Sequence, residues 1–327
     1  MKLIFRLIYF VLAIAVIAIV IFNIQRSARE SQIAADVAPR NGRFVDAGDV
    51  KIFVQESGPA TAPAIMLVHG TGTWSEIWRE TIDGLSSDYH VIAVDLPPFG
   101  YSDKPLHASS YTREKQAARL VHVIDAMHLK NVTIVGHSVG ARPVVEAALR
   151  SPSRFSRLVL VDPALGVKAN SDPVQFEQNH PSEVVQKIFN TPLLRTALIS
   201  SYGTNPLFMK QMFSSFVSKK DAVTEHRIDV IEKPMVVKDT TAAYGAWLSV
   251  LTIGHDDSLS SDFGNLRKLT MPVKIIWGST DTVTPIWQGN KLEALIPHAK
   301  LFVIEGVGHI PYIEDPQRFI ATLRAAL

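Results

Sequence analysis

The amino-acid sequence predicts an α/β fold, in which helices cover a mostly parallel sheet, with one helical insertion and one N-terminal transmembrane helix. Three observations lead to this prediction. From residue 43 onward, short apolar runs alternate with helical stretches, as in sheets covered by helices on both faces. Residues 164–269 interrupt that alternation with amphipathic helical pieces. The chain also opens with a long apolar run.

Length and composition narrow the classes of protein to consider. The chain has 327 residues, enough for one large domain. Its 47% hydrophobic and 20% charged residues exclude a disordered chain, which would lack the apolar surface to offset the entropy of ordering. Without cysteine there is no disulfide, thiolate nucleophile or cysteine metal site. Residues 1–40 carry a charge of +3 and the rest −1, so the rest lacks the basic surface of a nucleic-acid-binding protein.

The apolar run at the N-terminus covers residues 3–22 and contains a single charge, Arg6. As a helix, such a run extends about 30 Å, the thickness of a bilayer's hydrocarbon core. We therefore expect an uncleaved transmembrane anchor over 1–24 and a polar linker, acting as a tether, over 25–41. A cleavable signal peptide is the alternative, although the run is longer than usual and the small-residue site at 35–38 lies well beyond its end.

Basic residues flank this run on both sides, which leaves only a small bias for its orientation. Lys2 and Arg6 precede its centre, and Arg26 and Arg29 follow it. The positive-inside rule favours a cytoplasmic amino terminus. We expect a single-pass membrane protein whose soluble part lies outside the cytoplasm.

Seven runs in the soluble part are predicted as strands. One alternates apolar and polar side chains, and most of the others are continuous apolar runs, as in strands buried on both faces. Two helices are predicted over 141–149 and 285–295. A helical cap is expected over 164–269, inserted between the two parts of the core, 42–163 and 270–327. The predicted strands are 50–54, 64–68, 91–94, 132–135, 158–161, 273–277 and 301–304.

The first candidate catalytic residue is Ser138, in the sequence Gly136-His137-Ser138-Val139-Gly140 between a predicted strand and a predicted helix. A tight turn here needs glycine at 136 and 140, because a side chain would collide with neighbouring backbone. The serine then projects at the carboxyl edge of the sheet. Its hydroxyl needs a base to accept the proton, and the base needs a carboxylate to orient it.

Asp281 and His309 are the candidates for these two partners. Each follows one of the last two predicted strands, so both lie at the same sheet edge as Ser138. Asp162, which follows the strand at 158–161, is a rival for the role of the acid.

The chain from residue 43 to its end resembles a member of the α/β-hydrolase family with a helical cap, because Ser138, Asp281 and His309 occur in that family's order. The resemblance implies a mostly parallel eight-stranded sheet and favours Asp281 over Asp162. The loop His69-Gly70-Thr71-Gly72 is similar to the family's oxyanion loop, which implies that the backbone N–H groups of Thr71 and Val139 stabilise a developing negative charge. Residues 95–102 resemble the family's D-x-P-G-x-G-x-S turn, with Pro98 replacing the first glycine.

Other polar residues receive structural interpretations. His69 and His137 are interpreted as neighbours that shape the turns. His255 stands beside Asp256 and Asp257, but no paired-histidine spacing accompanies it, so no metal site is expected. Arg142 is interpreted as a partner in a surface ion pair.

These residues predict a serine hydrolase that cleaves an ester-type acyl bond of a small, hydrophobic substrate through an acyl-enzyme, without metal or cofactor. Epoxide hydrolases and haloalkane dehalogenases of the family carry aspartate at the nucleophile position, so Ser138 argues against both. Carbon–carbon bond hydrolases and cofactor-free perhydrolases share the triad and stay open as alternatives. A non-catalytic protein that binds an apolar ligand is a further alternative, whereas a dehydrogenase is disfavoured because no G-x-G-x-x-G follows a first strand. The expected partners are the membrane and the substrate, with no nucleic acid; the oligomeric state is not predicted.

Overall fold

A computed structural model describes residues 2–167, 181–254 and 258–327. His255, Asp256 and Asp257, together with part of the expected cap, lie outside the described residues. One eight-stranded sheet has the order β1-β2-β4-β3-β5-β6-β7-β8. Its strands are β1 Gly42–Asp46, β2 Lys51–Ser57, β3 Ala64–Val68, β4 His90–Val94, β5 Val132–His137, β6 Phe155–Val161, β7 Val273–Gly278 and β8 Lys300–Ile304.

The sheet is mostly parallel, as expected. β2 pairs antiparallel with β1 and β4, and all pairs among the six strands β3 to β8 are parallel. Every residue of β3, β4 and β5 is buried, because helices cover both faces. The seven predicted runs coincide with β2 through β8. β1 is an additional edge strand, in which only Val45 is buried.

Helices of the core cover the two faces of the sheet. Leu120 of α4, Val144 of α5 and Leu292 of α11 belong to the apolar cluster on one face. On the other face, Ile82 of α3 and Phe319 of α13 belong to a second cluster. Burial of such side chains stabilises the fold by roughly 1.5–3 kcal/mol each. The core helices are α3 Arg79–Leu85, α4 Arg113–Ala126, α5 Ala141–Arg150, α11 Trp287–Leu295, α12 Pro311–Glu314 and α13 Pro316–Ala326, and they follow two N-terminal helices, α1 Lys2–Arg29 and α2 Ala34–Val37.

Helices inserted between β6 and β7 form the cap. They are α6 Glu183–Asn190, α7 Pro192–Ser201, α8 Pro206–Phe216, α9 Glu225–Glu232 and α10 Thr240–Ile253. Side chains at their N-termini, such as Ser182 and Thr224, accept hydrogen bonds from the first turn and fix where α6 and α9 begin. The last residues of the interval 164–269, which was expected to form the cap, pack on the core instead. Phe263 and Leu266 belong to the core cluster beside α5.

The N-terminal helix α1 is continuous from Lys2 to Arg29, and its segment Tyr9–Arg29 is long and apolar enough to cross a membrane. The first residues of the expected tether are therefore helical. An Arg26–Glu30 pair at 3.6 Å, one helical turn apart, supports this end of the helix. α1 packs against α7 of the cap, and Gln32 forms an isolated parallel bridge with Val237. The tether thus lies against the cap instead of extending freely.

Candidate active site

The turn that carries Ser138 connects β5 to α5. Ser138 has a positive φ of 53°, a strained conformation for a residue with a side chain. A Cβ atom on Gly136 would lie 2.9 Å from the Cα of Ala141, and one on Gly140 would lie 2.2 Å from the carbonyl oxygen of His69. Both positions therefore require glycine. The turn holds the Ser138 side chain, which is 6% exposed, at the carboxyl edge of the sheet.

Ser138, His309 and Asp281 form one chain of hydrogen bonds. Ser138 Oγ lies 2.8 Å from His309 Nε2, and His309 Nδ1 lies 2.7 Å from Asp281 Oδ2. An ionised carboxylate only accepts hydrogen bonds, so Nδ1 carries the proton and Nε2 is left to accept from the serine hydroxyl. The structure thus brings together three residues that are distant in the sequence, in the hydrogen-bond arrangement that general-base chemistry needs.

The loop after β7 holds Asp281 as a carboxylate. The N–H groups of Val283 and Thr284 donate to Oδ1 at 2.7 and 3.0 Å, and the Thr284 hydroxyl donates to Oδ2 at 2.6 Å. Burial alone would raise the pKa of Asp281, but the hydrogen bonds from His309 and Thr284 outweigh it and lower the pKa. Sequence reasoning missed Thr284, although a threonine three residues after an aspartate is a known signal of a local side-chain turn.

Asp162, the rival acid, lies beside Asp281 without taking its place. Its Oδ1 accepts from the N–H of Gly278 at 2.8 Å, and its backbone φ is 41°. Burial and the nearby charge of Asp281 raise the pKa of Asp162 well above its usual value. The pKa values of the two carboxyls are thus shifted in opposite directions, and Asp281 is the carboxylate that meets the imidazole of His309.

These same side chains are the candidates for metal ligands. Within the described part of the chain, ligand atoms of Asp162, Asp281 and His309 lie within 4.8 Å of one another. The hydrogen bond between His309 and Asp281 already occupies the facing atoms of the two groups, so the donor set fits a proton relay better than an ion.

His69 positions the loop that carries Thr71. The N–H of Leu96 donates to His69 Nε2 at 3.0 Å, so Nδ1 carries the proton and donates to the Gly70 carbonyl at 2.7 Å. Burial lowers the pKa of His69 to about 4, which keeps the ring neutral. In a trans peptide the C=O of residue 70 and the N–H of residue 71 point in opposite directions. His69 therefore turns the Thr71 N–H away from its own ring.

His137 connects the nucleophile turn to the loop of His309. His137 Nε2 lies 2.8 Å from the His309 carbonyl, and its Nδ1 lies 3.0 Å from the Tyr312 hydroxyl. Burial lowers the pKa of His137 to about 3, so the ring is neutral, with Nε2 donating and Nδ1 accepting. Tyr312 in turn stacks on Trp78 at 3.8 Å between ring centroids. These contacts fix the backbone of His309; Tyr312 was not identified from the sequence.

The turn at residues 95–102 forms around Asp95 despite Pro98. Asp95 Oδ1 accepts from the Ser75 N–H and Oδ2 from the Tyr101 N–H, both at 2.7 Å. Gly100 has a φ of 58°, and a Cβ there would collide with the Asp95 carboxylate. The turn brings Phe99 under the cap, where its ring contacts Trp247 edge-on at 4.9 Å.

Two cavities adjoin the loop 69–73. The lining of the first runs from His69, Gly70 and Val139 to Trp247 and Leu251. The second lies between Gly72 and Thr73 on one side and Gly203, Thr204 and Tyr244 of the cap on the other. Phe99 lines both. Of the two predicted oxyanion residues, Val139 lines the first cavity, and Thr71 lies in the loop between Gly70, which lines the first cavity, and Gly72, which lines the second.

Relatives of this chain include enzymes and proteins without a described activity. It is 28% identical to an uncharacterized protein of Mycobacterium tuberculosis, over 87% of this chain and 80% of that one. It is 27% identical to the 2-hydroxymuconate semialdehyde hydrolase of a Pseudomonas species, over 86% of this chain and 92% of the relative.

Solved structures show the same fold. A bacterial membrane phospholipase A matches with a TM-score of 0.69 and 21% identity, covering 100% of this chain and 98% of that one. An esterase from Exiguobacterium antarcticum matches with a TM-score of 0.68 and 22% identity, over 87% and 98% of the two chains. A family model described as the alpha/beta hydrolase fold matches residues 63–316, which span β3 through the start of α13. The chain therefore belongs to the α/β hydrolase family.

Proposed function

We propose that the protein is a serine hydrolase that cleaves an ester bond of a hydrophobic acyl substrate. The observation that carries this proposal is the chain of hydrogen bonds from Ser138 through His309 to Asp281, at 2.8 and 2.7 Å. The three side chains are buried, and Val139, the residue after Ser138, lines the first cavity, where a bound acyl group would exclude water.

The proposed reaction proceeds in two halves. Ser138 Oγ bonds to the acyl carbon while its proton passes to His309 Nε2, and Asp281 stabilises the imidazolium that forms. The N–H groups of Thr71 and Val139 stabilise the oxyanion. The ester C–O bond then breaks, and the proton on Nε2 passes to the leaving alkoxide. In the second half, His309 deprotonates a water molecule, which attacks the acyl-enzyme and releases the acid and free Ser138.

The cavity walls favour an apolar acyl group. Between the loop 69–73 and the cap, the first cavity is lined by the side chains of Leu96, Phe99, Trp247 and Leu251. Burial of a methylene group against such walls contributes about 0.8 kcal/mol, so binding should strengthen with acyl length until the space is filled.

Carbon–carbon bond hydrolysis is the second candidate. It is favoured by the named activity of the Pseudomonas relative, a hydrolase of 2-hydroxymuconate semialdehyde, whose muconate part denotes a carboxylate. Arg142, interpreted from the sequence as a partner in a surface ion pair, lines the first cavity, and its Nε donates to the Ala164 carbonyl at 2.7 Å. A guanidinium in the wall suits a substrate that bears a carboxylate.

A fluorophosphonate probe tests the proposed nucleophile. The purified chain should be labelled covalently, Ser138→Ala should abolish the labelling, and Ser215→Ala, a change at an exposed serine of the cap, should leave it intact. Labelling that persists in Ser138→Ala would refute the assignment. Turnover of p-nitrophenyl esters rather than vinylogous diketones supports ester cleavage, and the reverse supports the second candidate. Tight binding of an apolar ligand without labelling or turnover would indicate a non-catalytic binding protein.

We also propose that α1 anchors the protein in a membrane, with the hydrolase part outside the cytoplasm. The 3–22 run supports the anchor, and the positive charges of Lys2 and Arg6 support the orientation. In spheroplasts, external protease should degrade the hydrolase part. Protection of that part would overturn the orientation.

A further inference from the structure

The cap carries a cluster of exposed apolar side chains close to α1. Outside α1, eleven large apolar side chains are exposed in the described part of the chain, and six of them lie between residues 184 and 207. Single exposed apolar residues are ordinary, but a cluster of this kind marks an interaction surface. We call it the cap surface; its members are Val184, Leu193, Leu194, Leu198, Tyr202 and Leu207.

Aromatic contacts fix the depth of this surface relative to α1. The ring of Phe208 in α8 meets the ring of Phe22 edge-on at 6.5 Å between centroids, and the ring of Tyr202 lies 5.6 Å from that of Phe208. Phe22 is the last residue of the 3–22 run, so in a membrane it lies where the hydrocarbon meets the headgroups. Tyr202 therefore stands at the depth where tyrosine is enriched in membrane proteins.

α7 extends the contact between the cap and the end of α1. α1 packs against α7, and Phe22, Arg26 and Arg29, which lie at helical spacing, are only partly exposed. On the neighbouring turns Val20, Ile21 and Ile24 are exposed. The apolar surface of the cap is thus adjacent to the apolar surface of the helix at the same level.

We propose that the cap surface docks on the lipid bilayer that α1 enters, so that α7 and α8 rest among the headgroups and the outer ends of the acyl chains. The proposal rests on the proposed membrane anchor. A bilayer is favoured over a second copy of the chain because the cap surface is adjacent to the segment that the bilayer itself would surround. A soluble partner would have to fit into the narrow space between cap and membrane.

The docked cap also brings the second cavity near the bilayer. Gly203 and Thr204 connect Tyr202 of the cap surface to α8, and both line that cavity. On its opposite side the cavity is lined by Gly72 and Thr73, which belong to the loop beside Ser138. An acyl lipid that leaves the bilayer at this point would meet the cavity that Gly72 and Thr73 line. The substrate class that fits the docked enzyme is therefore a long-chain acyl ester held in the membrane.

Site-directed spin labelling tests the docking directly, because a chain without cysteine can take one cysteine at a chosen place. Leu193→Cys and Leu207→Cys probe residues that are 77% and 73% exposed, and Val303→Cys, at a residue 42% exposed on the edge strand β8, is the matched control. The full chain is placed in nanodiscs of phosphatidylcholine and phosphatidylglycerol. Thermal unfolding first establishes that each labelled variant is folded.

Labels at 193 and 207 should collide more with oxygen than with a water-soluble nickel chelate, and the label at 303 should show the reverse. Equal, water-like behaviour at all three sites would overturn the proposal. Spin–spin broadening at 193 that disappears on dilution with unlabelled chain would show that a second copy covers the surface, and would overturn it as well.

Hydrolysis separates this inference from the proposed function. In a Leu193→Asp, Leu207→Asp double variant, turnover of a long-chain ester embedded in vesicles should fall at least tenfold, while turnover of the soluble p-nitrophenyl acetate should stay within twofold. An equal loss for both esters would refute delivery from the bilayer. If the unmodified chain hydrolyses neither ester, the proposed function fails, but the spin-label result still decides the docking.

Discussion

Gly140 is the position at which a single methyl group should disable the oxyanion loop. Its backbone has ordinary helical angles, φ −63° and ψ −20°, so alanine adds no conformational strain. The new Cβ would instead lie 2.2 Å from the His69 carbonyl oxygen, about 0.8 Å closer than the 3.0 Å that real Cβ contacts respect. His69 must retreat by that distance, and Gly70 and Thr71 must follow it.

This displacement is large on the scale that catalysis tolerates. Oxyanion donors act within about 2.7–3.1 Å of the developing charge, so a shift of about 0.8 Å removes the Thr71 N–H from range. Loss of one donor costs roughly 10²–10³ in kcat, which corresponds to about 3–4 kcal/mol of transition-state stabilisation. We expect Gly140→Ala to lower kcat for p-nitrophenyl butyrate by about a hundredfold, with little change in KM.

The matched control is Gly264→Ala, where the nearest atom to the new Cβ is the side-chain carboxylate of Asp262 at 3.0 Å, which can move aside. This variant should keep full activity. Steady-state kinetics and the rate of fluorophosphonate labelling should fall together in Gly140→Ala, and thermal unfolding should show a folded protein. A folded Gly140→Ala variant with kcat within threefold of the unmodified chain would refute the assignment of Thr71 as an oxyanion donor.

Three further substitutions test the site and its support. Asp281→Asn should lower kcat by at least 10³, because the imidazole loses its carboxylate, whereas Asp162→Asn should change kcat less than threefold, because the imidazole of His309 is hydrogen-bonded to Asp281; equal losses in the two would contradict the choice of acid. His69 stays neutral when folded but binds a proton near pH 6.5 when unfolded, so its contribution to stability is present above pH 6.5 and is lost as pH falls toward 4. Chemical denaturation should show that the stability advantage of the unmodified chain over His69→Gln shrinks by about 2–3 kcal/mol between pH 6.5 and 4.5, and a constant difference would contradict this. Glu30→Ala should cost about 1–3 kcal/mol, seen as a lower Tm in detergent, because Glu30 accepts hydrogen bonds from the buried N–H and hydroxyl of Thr241; an unchanged Tm would show that the contact contributes nothing.

Long apolar runs carried most of the information about the fold. The runs at 64–68 and 132–135 are buried over their whole length in β3 and β5, which is why an uninterrupted apolar pattern located them. β1 escaped prediction because it lies at the edge of the sheet and buries only Val45. Its pairing with β2 depends on backbone hydrogen bonds, which leave little trace in the side-chain pattern.

The residues of the candidate site likewise fall into those that the sequence could locate and those that it could not. Ser138, Asp281 and His309 could be located because each follows a recognisable strand, and parallel strands bring their carboxyl ends to one edge. Tyr312 could not, since it reaches His137 across 175 positions of sequence and stands in a short helix without a motif. The raised pKa of Asp162 also depends on burial beside a second carboxylate, which only the folded arrangement creates.

The docking of residues 30–37 bears on proteolytic maturation. Glu30 is 6% exposed, and the bridge between Gln32 and Val237 ties the same segment to the cap. A peptidase that cut at 35–38 would remove both contacts. The start of α10 would then lose the hydrogen bonds that it makes to the carboxylate of Glu30. The trimmed enzyme would therefore lack part of its own tertiary structure. Soluble versions designed for biochemistry should accordingly retain Glu30 and everything that follows it.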